Sequence, residues 1–429
     1  MSSQAARAVV LDTEQSLRTY SRKTRKSAAA HVRADKLLPG GTSRQAGYWA
    51  PYPLTFKRAE GPFLWDIDGN RYFDLINNYT AMVHGHSYPP IVEAARRHAG
   101  RGTGWVGGNL EQLELAEEIV GRVAAVEQVR FTNSGTEAGA LAFNIARKLT
   151  GREKLLMARY GYHGSLLEFE TGSFGREGSV TLLADYNDLA AFERVIEEHG
   201  NEIAAVFLEP VLGSGGVVSG DALFLHGVQA AARQVGALLV LDEVLTLRFA
   251  LGGVQGQVGL TPDLTMFGKL IGGGYPVGAI GGARDLLKIF APSDLKLFHT
   301  GTFNANPVTM AAGFVSLNHL TGERIDAMAG AAKTLKSGLA RAATKAGLPL
   351  SINHHGSCLN LYFSERAPRS SVVREDGQLL GAFHIVAMNH GLFLAPRGMI
   401  ALSTVMTSAY LAEILERAEA AMAELGQTA

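Results

Sequence analysis

Two residues able to do covalent chemistry stand at the ends of apolar runs. The run Gly236–Leu241 closes on Asp242-Glu243, and Leu264–Phe267 leads into Gly268-Lys269-Leu270-Ile271-Gly272-Gly273-Gly274. A lysine amine condenses with an aldehyde, and a carboxylate holds a pyridine nitrogen protonated; pyridoxal phosphate chemistry needs both. An ordinary lysine, with a pKa of roughly 10.4, is a poor nucleophile at neutral pH, and burial beside a positive ring lowers that value. An aspartate against a pyridinium in a partly buried site is favourable by about 4 kcal/mol, which keeps the ring an electron sink. The plainer readings are a surface lysine and a carboxylate capping a strand-to-helix turn. Lys269 follows an apolar run and precedes three glycines, where exposure has no support. Nor is Gly268-Lys269 a Walker A motif, because no Ser or Thr follows Lys269 and no glycine stands at the required upstream spacing.

Other candidates gather around this pair. Asn133-Ser134-Gly135-Thr136-Glu137 follows a strand-like run and opens a helix. It reads as a capping box, with Ser134 as N-cap and Glu137 three residues on. It reads equally as a phosphate cup, in which a glycine turn, hydroxyls and free amides meet at a helix N-terminus. Beside Lys269 and Asp242 the cup reading is the one adopted. Tyr162, in Gly161-Tyr162-His163-Gly164, is either a ring-stacking residue or a core aromatic. Glu209, before Pro210, either ends a strand or bonds near the ring. His84/His86 and His354/His355 are not at metal-ligand spacing, and with one cysteine no metal is expected.

The elements that must position these residues follow from the pattern. Val129–Thr132 leads into a helix from Thr136 to Lys148, and Lys154–Met157 precedes Gly161. Ala204–Leu208 ends at Glu209, Ala237–Leu241 at Asp242, and Leu264–Phe267 at Lys269. Such alternation predicts an α/β fold with a mostly parallel sheet flanked by helices and the ligand at the strands' C-terminal ends. Ahead of it, residues from Ala5 to Leu38 read as helical up to Pro39-Gly40-Gly41, and a hairpin turns at Asp68-Gly69. After a helix near Asn306–Leu320 come a further helix, strands (Leu348–Phe363, Gly391–Ala395) and a closing helix, Ser408–Leu425. The expected division is an N-terminal helix and hairpin segment (residues 1–75), a large cofactor-binding α/β domain (76–320) and a smaller α+β domain (321–429), joined by the N-terminal hairpin.

Composition narrows the class. The 429 residues are 47% hydrophobic and 19% charged, which reads as globular rather than disordered. The 50 glycines cluster in short loops without a period, as tight turns and close backbone approach require. Lys+Arg and Asp+Glu are both 40, so no global field draws in nucleic acid or acidic lipid. The basic stretch Arg18–Lys36 reads as a solvated helix face. One cysteine, Cys358, excludes an intramolecular disulfide; it fits a reducing compartment and, in an apolar stretch, a packing role. No run is long enough to span a membrane and no signal-peptide core is apparent, so a cytoplasmic protein is expected.

In order and spacing, Asn133–Ala138, Gly161–Gly164, Leu241–Val244, Gly268–Gly274 and Gly301-Thr302-Phe303-Asn304 resemble the class III aminotransferases of pyridoxal phosphate fold type I, from roughly Pro39 to the last helix. The resemblance implies a homodimer with active sites at the subunit interface. It implies Lys269 as the Schiff-base lysine, Asp242 on the pyridine nitrogen, Val244 behind the ring and Tyr162 stacked on its other face. Ser134, Gly135 and Thr136 would hold the phosphate together with Thr302 of the partner subunit, and Glu209 matches a position near the cofactor. Two branches are similar, glutamate-1-semialdehyde aminomutases and β-amino-acid transaminases. Pro39–Arg44, Ala50–Thr55 and Arg397 in Ala395-Pro396-Arg397-Gly398 resemble the latter, where arginines at these places grip substrate carboxylates. Thr246-Leu247-Arg248-Phe249 departs from both branches.

The expected function is therefore a ping-pong, Schiff-base transfer of an amino group, from a β-amino acid donor to a keto acid such as 2-oxoglutarate or pyruvate. An aminomutase-type isomerase is the alternative, and steady turnover without added keto acid would mark it. A decarboxylase is a weaker option, because sequence does not show which bond stands perpendicular to the ring. A non-catalytic binding protein is disfavoured by the presence of both Lys269 and Asp242.

Overall fold

The computed structural model describes residues 14–166, 180–370 and 376–427. Residues 14–23 (α1) and Arg25–Asp35 (α2) are helical. The single helix expected over Ala5–Leu38 is thus two; its first residues, through 13, lie outside the described chain. The break is at Thr24, whose hydroxyl donates back to the Tyr20 carbonyl at 2.7 Å and competes with the helix ladder. Asp68 then caps α2 from outside, accepting from the Lys26 and Ser27 amides. Asp68 sits in the tight turn of the expected hairpin. Strands β1 (Phe56–Glu60), β2 (Phe63–Asp66) and β3 (Arg71–Asp74) form an antiparallel meander, with Gly69 at φ +101°.

Helices α3 (Pro89–Ala99) and α4 (Leu110–Arg122) lead into β4 (Gln128–Thr132), α5 (Gly135–Thr150) and β5 (Lys154–Ala158). Next come β6 (Thr181–Ala184), α6 (Leu189–His199), β7 (Ile203–Leu208), the short pair β8 (Val211–Leu212) and β9 (Val218–Ser219), and α7 (Ala222–Gln234). Then follow β10 (Leu238–Asp242), α8 (Gly253–Val258), β11 (Leu264–Gly268), β12 (Gly278–Gly282), α9 (Arg284–Leu287) and α10 (Pro307–His319). Seven of these strands make one sheet in the order β4-β12-β11-β10-β7-β5-β6. All neighbours are parallel except at β12, which runs antiparallel to β11 and β4.

The central strands are apolar throughout because both faces are covered. Leu239 and Leu241 of β10 pack with α6 and α7 residues, while Val240 between them packs on the opposite face with α5. Strand β12, Gly-Ala-Ile-Gly-Gly, has little strand propensity of its own and escapes the sequence pattern. Gly278 is needed there: a Cβ would lie 2.0 Å from the Ser134 carbonyl oxygen, so only glycine lets β12 pass beneath the turn that opens α5.

The chain closes with α11 (Gly322–Lys345), β13 (Ser351–His355), β14 (Cys358–Tyr362), α12 (Gly377–Asn389), β15 (Leu392–Phe393), β16 (Met399–Ala401) and α13 (Ser408–Gly426). Strands β13, β14 and β16 form an antiparallel sheet whose Leu359, Leu361 and Ile400 pack against Leu335, Phe383 and Ile414 of the helices. Strand β15 instead joins β3 in parallel, tying the C-terminal region to the N-terminal meander. Cys358 is fully buried in β14.

Candidate active site

The ends of four parallel strands converge as the doubly wound topology requires. Asp242 is the last residue of β10, Lys269 follows β11, Glu209 follows β7, and Gly161–His163 lie just beyond β5. Lys269 has φ +51°, a left-handed conformation that costs a β-carbon residue about 1–2 kcal/mol. Burial lowers its amine pKa, while Asp242 and Glu209 pull the other way and Arg397 adds to the lowering. The depression expected from a positive ring is thus already supplied in direction by desolvation alone.

Asp242 is buried, and its Oδ1 accepts from the Val244 amide at 2.9 Å. Its Oδ2 accepts from Nδ1 of His163, also at 2.9 Å and also buried. The adjacent Glu243 is fully buried and accepts from the Val254 and Gln255 amides, fixing the loop beyond β10. Burial raises its carboxyl to about 7. Glu209 is raised to about 7 by the same cause, opposed by His163 and assisted by Asp242. Its two oxygens accept from the Gly213 and Tyr162 amides at 3.0 and 3.1 Å, so it pins the loop that carries Tyr162. The Tyr162 ring is exposed, with its hydroxyl 3.1 Å from that of Ser165.

Ser134 is the N-cap of α5, accepting from the Glu137 amide, and Glu137 in turn accepts from the Asn133 amide at 2.8 Å. The Ser134 half of the expected capping box is therefore formed, while Glu137 reaches one residue further back, to the Asn133 amide rather than to that of Ser134. Thr136 Oγ1 accepts from the Ser165 amide at 3.2 Å. Gly164, at φ +126°, brings its backbone against Thr136 so closely that a Cβ would lie 2.7 Å from the Thr136 Cα. Val244 stands under this turn: a Cβ on Gly135 would meet its γ-carbons at 3.5 Å, and one on Gly268 at 3.2 Å. Thr302 is exposed, in a loop tied to the cup by Asn133 Nδ2 donating to Asn304 Oδ1 at 2.8 Å. These donors fit pyridoxal phosphate: an anion cup at a helix N-terminus, a buried carboxylate for a ring nitrogen, and an amine of lowered pKa.

Arg44 and Arg397, distant in sequence, flank one side chain. Their guanidinium carbons lie 5.7 and 5.3 Å from the Tyr79 ring centroid, a cation–π separation. Arg44 Nη1 also donates to Asn78 Oδ1 at 2.9 Å. Tyr79 belongs to a turn, Asn77-Asn78-Tyr79-Thr80, whose four φ angles run from +50° to +76°. Consecutive left-handed non-glycine residues are held only against strain. Asp74 holds the start, accepting from the Ile76 and Asn77 amides and from His86 Nε2 at 2.6 Å. A 540 Å³ cavity lies on this side, lined by Arg44, Asn78, Tyr79, Met82, His86 and Ala395 among others. Lys269 and Asp242 do not line it, so it is not the space in front of the lysine and the aspartate.

Sequence reasoning missed three members of this arrangement: His163, Tyr79 and the left-handed turn. His163 was visible within Gly161-Tyr162-His163-Gly164, but the motif drew attention to the tyrosine. A run of polar residues just after β3 was the only signal for the turn.

Comparison with known proteins places the chain in a class. The aminotransferase class-III family model matches residues 46–171 and 178–422, and the chain belongs to that family of pyridoxal phosphate-dependent transaminases. A β-phenylalanine transaminase of Variovorax paradoxus is 40% identical over 383 residues, covering 87% of each chain. A glutamate-1-semialdehyde 2,1-aminomutase of Bacillus anthracis is 37% identical, covering 94% of this chain and 99% of its own. The crystal structure of a β-phenylalanine aminotransferase from Variovorax paradoxus superposes with a TM-score of 0.91 at 37% identity, over 97% of this chain and 96% of that one. Fold type I is thereby established for this chain.

Proposed function

We propose that this enzyme takes the amino group of a β-amino acid and passes it to a small keto acid such as 2-oxoglutarate or pyruvate. The observation carrying this reading is that Arg44 and Arg397 stand on one tyrosine ring, close enough for Arg397 to act electrostatically on the Lys269 amine. A guanidinium fork binds a carboxylate in a fixed plane. Arg397 is the residue assigned to the donor's carboxylate, and Arg44 the second arginine available to the dicarboxylate acceptor.

Pyridoxal phosphate, when bound, takes up the substrate nitrogen and delocalises the charge released at the adjacent carbon. Asp242, kept in orientation by His163 and the Val244 amide, would hold the ring nitrogen's proton. Ser134, Gly135 and Thr136 would hold the phosphate at the start of α5, and in a homodimer Thr302 of the partner subunit would complete the cup. The exposed apolar side chains of Trp105, Val106, Phe298 and Phe303 support such an assembly. Val244 and Tyr162 would hold the ring between them, and Glu209 fixes the Tyr162 loop. Lys269 Nζ removes the proton from the substrate carbon that bears nitrogen and returns it on the reverse half-reaction; burial lowers its pKa, the direction a base requires. The single buried cysteine fits a cytoplasmic setting.

The test is a panel of amino donors and keto acceptors with the wild-type enzyme. Product formation from 3-amino-3-phenylpropanoate that depends on added keto acid supports the reading. Steady turnover of glutamate-1-semialdehyde without any acceptor supports the second reading, an aminomutase, which the Bacillus relative's length-wide similarity keeps in view.

A further inference from the structure

Arg248 is the largest fully buried side chain among the described residues, and its hydrogen-bond partners among them include no carboxylate. Burying a guanidinium without a counter-ion is costly, and desolvation lowers its pKa. Its hydrogens go to neutral acceptors on separate segments. Nε donates to Ser357 Oγ at 2.9 Å, just before β14; Nη1 donates to the Thr80 carbonyl at 3.1 Å; Nη2 donates to the Leu402 carbonyl, just after β16. Thr80 ends the left-handed turn that carries Tyr79, and Leu402 ends the segment that begins with Arg397 and β16. A second bond joins the same two segments, Asn77 Nδ2 donating to the Ala401 carbonyl at 2.5 Å.

We propose that Arg248 is a positioning residue for the carboxylate end of the site, holding the Tyr79 turn against the Arg397 segment so that one ring sets the spacing of both guanidinium groups. This rests on the reading that Arg44 and Arg397 take substrate carboxylates. The left-handed turn has no glycine to make its geometry favourable, so it depends on bonds from outside. Arg248 supplies the one that fixes its last carbonyl. A lysine at 248 has a single ammonium in place of the fork and does not span three acceptors in one plane.

The experiment is a double-mutant cycle on the holoenzyme, with 3-amino-3-phenylpropanoate and 2-oxoglutarate as substrates and bound cofactor and thermal midpoint recorded for each variant. Arg248→Lys is expected to raise KM for the donor by roughly tenfold to a hundredfold with kcat changed less than about twofold, as misplacement of a binding group does. In a Tyr79→Leu background the same substitution is expected to add less than about twofold, because the ring it positions is gone. Should Arg248→Lys not fold, Ser357→Ala removes one bond of the clamp and is expected to raise KM in the same direction by less. An unchanged KM, or an equal KM increase with and without Tyr79, overturns the proposal. Arg44→Ala and Arg397→Ala are run in parallel. If neither moves KM, the carboxylate reading and this inference both fall; if they do and the Arg248 and Ser357 variants do not, only this inference falls.

Discussion

His163 Nδ1 donates to Asp242 Oδ2 across 2.9 Å, with both side chains buried at the C-terminal edge of the central sheet. The bond spans 79 positions of sequence and fixes which way the carboxylate presents its second oxygen. Replacing His163 with Phe keeps most of the volume and removes the donor, leaving a buried carboxylate oxygen unmet at a cost of about 1–3 kcal/mol. Cofactor affinity measured by spectral titration is expected to fall about tenfold or more, and kcat with it. An unaltered affinity would show that Asp242 needs no orienting partner.

Gly278 passes so close to the Ser134 carbonyl that a methyl group cannot be accommodated. Gly278→Ala is expected to displace the start of α5, destabilising the protein by about 1–3 kcal/mol and weakening phosphate retention. The check is thermal midpoint together with inorganic phosphate competition against cofactor uptake. A midpoint and uptake equal to wild type would mean that the turn is not held by β12.

Arg397→Ala removes a fork of charged hydrogen bonds of about 1.5–3 kcal/mol, roughly tenfold to a hundredfold in KM for carboxylated donors. Arg44→Ala is expected to act mainly on the acceptor. Steady-state kinetics with donor and acceptor varied separately resolves the two.

His384 lies buried on the edge of Trp49, ring centroids 5.2 Å apart, with neither nitrogen hydrogen-bonded. Burial lowers its pKa to about 3 from 6.5. The unfolded chain therefore takes up a proton below pH 6.5 that the folded chain refuses until about pH 3. This residue's contribution is fully present above pH 6.5 and is lost as pH falls, by roughly 1.4 kcal/mol per pH unit. His384→Phe is expected to widen its advantage in thermal midpoint over wild type between pH 7 and pH 5. A gap independent of pH would refute the assignment.

The strands that matter were legible because burial on both faces leaves β7, β10 and β11 as unbroken apolar runs, and each ends on a polar residue of the site: Glu209, Asp242 and Lys269. The helix start at Ser134 was legible because a serine ahead of a glycine, a threonine and a glutamate is an N-cap signal. Strand β12 was not, since its glycines are chosen for close approach rather than for strand propensity. The Tyr79 turn was hidden for the opposite reason, a left-handed path without glycine that local bonds to Asp74 start and a long-range bond from Arg248 meets at its end. The restart of the helix after Thr24 is capped by Asp68, a residue of the following hairpin, which no local pattern announces. Arg248 stood out in sequence only as a departure within Thr246–Phe249; its burial and its acceptors on separate segments came from tertiary structure.

The central claim concerns one amine. Borohydride reduction of the cofactor-loaded enzyme, followed by peptide mass spectrometry, is expected to find the phosphopyridoxyl adduct on Lys269, and a Lys269→Ala variant is expected to carry none and to lose turnover by several orders of magnitude. An adduct on another lysine, or wild-type turnover in the variant, would contradict the account.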